Sequence, residues 1–114
     1  MQRALTGLTF LLASMAATDA AADPHSRPLS AEQWALPRSG DALIRLAPLR
    51  DTVADWLATP DARIVIQDSG SDAANLWAGE LQDWLVALGI PQDRIDRRVS
   101  ADQAEDAMTL KVQR

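Results

Sequence analysis

The run "PDARIVIQDSGSDAANLWAGELQDWLVALGIPQDRI", residues 60–95, decides how the rest of the chain is read. Its opening part, "ARIVIQ" at 62–67, is a short β-branched stretch between turn residues, which predicts a buried strand. Beyond the polar loop "DSGSD", Trp77, Leu81, Trp84, Leu85 and Leu88 recur at helical spacing on one stripe, with Glu80, Gln82 and Asp83 off it. Ser71 or Asp72 can cap the first turn of that helix, and Gly89, followed by Ile90 and Pro91, predicts a left-handed stop at its end. The stretch "RIDRRV" at 94–99 predicts a second strand. Strand, helix and strand at this spacing imply a crossover that joins parallel neighbours.

Further along, "MTLKV" at 108–112 alternates Met108, Leu110 and Val112 inward with Thr109 and Lys111 outward, the pattern of a half-buried strand. Before the central unit, residues 41–58 place Leu46, Leu49, Val53, Trp56 and Leu57 at helical spacing. Pro48 leaves two readings there: a helix from about 48 preceded by a short strand, or one longer helix kinked at the proline. Residues 23–40 hold three prolines and a glycine and predict an irregular arm pinned to the body by Trp34 and Leu36. The expected fold is a small two-layer α/β sandwich, a short sheet with two helices on one face.

The first 22 residues combine a cation at Arg3, an apolar core at 4–17 and Ala20-Ala21-Ala22, the plan of a secretory signal peptide. Its apolar run falls short of the ~20 residues that span a bilayer, and no second such run follows. Cleavage after Ala22 removes Arg3 and Asp19, so 11 cations become 10, 16 carboxylates become 15, and the net charge stays at −5. That balance argues against a nucleic-acid surface, which needs a basic patch. The chain has no cysteine, so neither disulfides nor thiolate metal sites are available to it. Cleavage also places His25 third, the position of an amino-terminal copper site, but Pro24 lacks the amide N–H that such a site deprotonates. His25 is expected to be solvated, as are Asp51 and Asp55 and the Arg97-Arg98 pair.

On these residues the chain resembles the OmpA C-terminal-like, peptidoglycan-binding domain. The likeness spans about 41–113 and is carried by 60–95: a strand ending in aspartate, a polar loop with a glycine, an asparagine, a long helix, then "GIP" and a strand. In that family the aspartate and an arginine on the following helix grip the diaminopimelate side chain of the peptidoglycan stem peptide. The resemblance implies that Asp68 is that aspartate and that Asn75 stands near the asparagine bracing the loop. Asp68, Ser69, Asp72 and Asn75 are the candidate ligand-binding residues. The arginine is missing: its place falls near Ala78, and residues 64–93 contain no Lys or Arg. Diaminopimelate presents an ammonium beside a carboxylate, and a site built only of carboxylates holds one and repels the other.

The expectation is therefore a loop inherited from a ligand site and now serving to cap a helix. The "DSGSD" spacing lacks the bidentate glutamate of a calcium loop, so neither a metal nor a cofactor is expected. A lone histidine supplies no assembled nucleophilic triad, and no catalytic residue is assigned. The expected function is an exported, periplasmic, non-catalytic binding or assembly module of the cell envelope. Its partner would be an envelope protein or the stem peptide. A second reading is a working diaminopimelate binder that uses Asp68 and a cation from elsewhere, such as Arg94 or Arg98. A small hydrolase or hydrolase inhibitor is the third.

Overall fold

The computed structural model describes residues 23–36 and 39–114; the expected signal peptide lies outside the described residues. They form a two-layer α/β domain with a four-stranded mixed sheet and four helices among the described residues. The elements are β1 (Ser26–Ser30), α1 (Ala31–Trp34), α2 (Gly40–Ile44), α3 (Ala47–Ala58), β2 (Arg63–Asp68), α4 (Asp72–Ala87), β3 (Ile95–Val99) and β4 (Ala107–Gln113). A 3₁₀ turn at Gln92–Arg94 leads into β3. Strand order is β1-β4-β2-β3; β2 and β3 run parallel across α4, as expected, and β4 is antiparallel to both β1 and β2.

Register divides the sheet into two faces. Leu29, Met108, Leu110, Ile64, Ile66 and Ile95 fall on one face and form a single buried cluster with Leu49 and Trp56 of α3 and Ala78, Leu81 and Leu85 of α4. The opposite face is largely polar. Gln103 folds over it, accepting from Thr109 Oγ1 at 2.8 Å and from Gln67 Nε2 at 3.0 Å.

Residues 23–36 do not form the irregular arm that the prolines of 23–40 suggest. Ser26–Ser30 is an edge strand, where Pro28 costs little because its missing N–H is not needed on the outer side. Leu29 pairs with Met108 and is fully buried. Ser30 then starts α1 with a reciprocal cap: its Oγ accepts from Gln33 N–H at 3.0 Å, and Gln33 Oε1 accepts from Ser30 N–H at 3.0 Å. Trp34 is buried as expected, but Leu36 is 58% exposed and pins nothing.

Each reading of 41–58 is half right. The segment is helical throughout, yet it breaks at Arg45 and Leu46, and Pro48 sits in the first turn of α3, where a proline is tolerated. Leu49, Thr52 and Trp56 make its buried stripe, and Leu57, expected inward, is 62% exposed. Thr52 can be buried because its hydroxyl donates to the Pro48 carbonyl at 2.7 Å.

Helix α4 is rotated relative to the expected stripe. Its most buried residues are Ala74, Ala78, Leu81 and Leu85, and Trp77, Trp84 and Leu88 flank them, only partly buried. Small side chains thus stand at the centre of the buried stripe, and the indoles pack against the core from beside it. The helix ends in a Schellman motif: Gly89 at φ 106° donates to Val86 at 3.0 Å, and Ile90 donates to Leu85 at 3.0 Å.

Candidate functional site

Strand β2 ends in Asp68, whose side chain lies on the helix-facing side of the sheet and is 2% exposed. Its Oδ1 accepts from the Gly70 N–H at 2.7 Å, closing a turn in which Gly70 takes φ 85°. Left-handed backbone suits glycine here for a second reason: a Cβ at Gly70 would meet Cγ1 of Val99 at 2.8 Å. Beyond the turn, Ser71 is the N-cap of α4, its Oγ accepting from Ala74 N–H at 3.1 Å. Ser69 Oγ lies 3.3 Å from Ser71 Oγ. Asp72 is exposed in the first turn, where a carboxylate complements the helix dipole without serving as the cap.

The four candidate residues therefore divide. Asp68 and Ser69 belong to the turn itself, whereas Asp72 and Asn75 are exposed on α4. Asn75 has a partner that the helix sequence does not disclose. Arg97 of β3 donates through Nη2 to Asn75 Oδ1 at 2.5 Å and to the Asn75 carbonyl at 3.0 Å. Register places Arg97 opposite Ile66 and Val99 opposite Asp68, so Arg97 and Asp68 share the helix-facing side. A guanidinium thus stands at this corner even though residues 64–93 supply none.

The two cations expected as substitutes do not face it. Arg94 donates to the Asp61 carbonyl at 3.2 Å, and Arg98, opposite Gln67, lies on the other face of the sheet. Between Arg97 and the outer side of α4 runs an open groove of about 420 Å³ lined by Asn75, Gly79, Glu80 and Asp83 among others.

A second cluster joins β1 to α3. His25 Nδ1 is 2.7 Å from Asp55 Oδ2, and Arg27 Nη1 reaches the same oxygen at 3.1 Å. Burial pushes the Asp55 carboxyl up, but the hydrogen bonds from His25 and Arg27 outweigh it and hold the group below its usual value. His25 is thus not simply solvated, nor is Asp55; Asp51 is exposed and bonded to its neighbour Arg50. Beside this cluster a cavity of about 190 Å³ is lined by Thr59, Val112 and Arg114 as well as His25 and Asp55. No hydroxyl is hydrogen-bonded to the imidazole among the described residues.

On the polar face, Arg63 grips Asp96 through two bonds of 2.7 Å. The guanidinium holds the Asp96 carboxyl below its usual value. Among the described residues no group of three or more His, Cys, Asp or Glu could hold a metal ion, and no helix is long and apolar enough to cross a membrane. Compared with models of protein families, with curated proteins and with solved structures, the chain matches none.

Proposed function

We infer that the chain is an exported binding or assembly module of the periplasmic envelope, a small OmpA-like domain in which the stem-peptide corner has become structural. The observation that carries this reading is the state of Asp68: a carboxylate 2% exposed and bonded to its own loop is a brace, not an open grip for an ammonium. Arg97 gives the stem-peptide reading a specific point in its favour, since it supplies the missing cation beside Asn75. To use both groups the loop would have to open and expose Asp68, giving up the bond to Gly70.

Co-sedimentation of the protein with diaminopimelate-containing cell-wall sacs separates the two. On the module reading, binding is weak and unaffected by Asp68→Asn, while an envelope extract yields a specific protein partner. Saturable binding to sacs that disappears in both Asp68→Asn and Arg97→Gln would replace the module reading with the stem-peptide one.

A further inference from the structure

Among the described residues strand β3 is an edge of the sheet, paired only with β2, and its last three residues, Arg97, Arg98 and Val99, are exposed. An edge strand leaves a row of backbone N–H and C=O groups open to another strand. In a chain of net charge −5, residues 93–98 carry a net charge of +1, with Asp93 and Asp96 set against three arginines, Arg94, Arg97 and Arg98. Among the described residues their hydrogen bonds end on neutral oxygens: the Asp61 carbonyl, Asn75 and Gln113 Oε1. Asp96, the one carboxylate of the strand, is already gripped by Arg63.

We propose that the β3 edge accepts an extended acidic segment of a partner protein as a fifth strand. The inference rests on the binding-module reading and names the partner's chemistry. Arg97 points to the helix-facing side and Arg98 to the other, so one added strand meets both only with adjacent carboxylates, one on each face. Val99, 69% exposed, then sets an apolar residue next in line. Glu80 and Asp83 make the α4 wall of the groove negative, so the partner's carboxylate meets Arg97 from the strand edge and not along the groove. In a second copy of this chain, a two-fold pairing of β3 centred on Arg97 sets that arginine against itself and offers Arg98 only Asp96, a carboxylate already gripped by Arg63. The same charges that guard the edge against self-association select an acidic strand.

The test uses the blocked peptide Thr-Thr-Glu-Glu-Val-Thr-Thr, a version with both glutamates replaced by lysine, and a version N-methylated at alternate residues, read by fluorescence anisotropy against the exported protein. The glutamate peptide is expected to bind saturably. Its affinity should fall by on the order of tenfold in Arg97→Gln/Arg98→Gln, with Arg98→Gln alone, remote from Asn75, giving part of that loss. N-methylation should abolish binding, since it removes the strand hydrogen bonds and leaves the charges. No binding by the glutamate peptide, equal binding by the lysine peptide, or undiminished binding by the N-methylated one overturns the proposal. The module reading fails separately, if wild-type protein captures no envelope protein. Capture that neither the arginine variants nor excess glutamate peptide reduces leaves the module reading standing and overturns the β3 edge.

Discussion

Replacing Asp68 by alanine and by asparagine tests whether the loop is braced or poised to bind. In the alanine variant the 2.7 Å bond from Gly70 N–H is lost at a site 2% exposed. A hydrogen bond to a charged acceptor contributes ~1.5 to 3 kcal/mol. Gly70 is exposed, so water can take up its freed N–H, which places the cost toward the lower end. Asparagine keeps an oxygen at Oδ1 and a neutral bond of ~0.5 to 1.5 kcal/mol, so it should recover part of the loss. For a domain of this size 1 kcal/mol shifts the melting temperature by roughly 4 to 8 °C. Asp68→Ala should therefore melt on the order of 10 °C below wild type and Asp68→Asn between the two. Urea midpoints give the energies, and amide exchange at Gly70 shows whether the lost bond is the one named. An alanine variant as stable as wild type, with Gly70 exchange unchanged, would refute the brace.

Gly70→Ala should destabilise by about 2 to 4 kcal/mol, from left-handed strain and overlap with Val99. In a Val99→Ala background the overlap is gone and only the strain, ~1 to 2 kcal/mol, should remain; equal costs in both backgrounds would show that the contact does not matter. Asp55 and Asp96 are both held below the usual carboxylate value of 3.8, so each contributes stability that is present above about that pH and lost as pH falls through the depressed value. Acid unfolding of Asp55→Asn/Asp96→Asn should accordingly be less steep than that of wild type below that pH. Leu81→Ala, at a fully buried position, should cost ~2 to 5 kcal/mol and exceed the cost of Trp84→Ala, since Trp84 only flanks the core. Intact mass of protein recovered from the periplasm should place Asp23 at the N-terminus; a cytoplasmic chain retaining Met1 would overturn the export reading.

The parts of the fold legible in the sequence are those where local pattern and tertiary need coincide. Ile64, Val65 and Ile66 run apolar without alternation and all three are buried; Ser71 and Gly89 are punctuation with a direct backbone cause, and both are found in those roles. Strand β1 was hidden because Pro28 reads as a breaker unless the segment is known to be an edge, and edge position is a property of the assembled sheet. A local signal was nevertheless present: the S-x-x-Q spacing of Ser30 and Gln33 marks a helix start, and hence the end of whatever precedes it. The phase of α4 departs from its apolar pattern for a different reason. Ranking residues by apolar size centres the stripe on Trp77 and Trp84, while close packing on the sheet selects Ala74 and Ala78.

Arg97 shows where reading one segment at a time stops. The helix and its flanks supply no cation to the candidate corner, since residues 64–93 contain no Lys or Arg. The guanidinium arrives instead from β3, 22 residues beyond the asparagine it holds. Whether Arg97 or Arg98 faces α4 is fixed by a register in which a slip of one residue exchanges them. The consequence for function is asymmetric. A cation on an edge strand stands next to open backbone groups, where a charge-assisted contact and strand hydrogen bonds can act on the same partner. Asp68, by contrast, stays under the loop with its carboxylate bonded to Gly70. Aspartate and arginine, one pair of groups in the resemblance, here serve separate ends: the first holds a turn closed, and the second holds Asn75 from an exposed position on an edge strand.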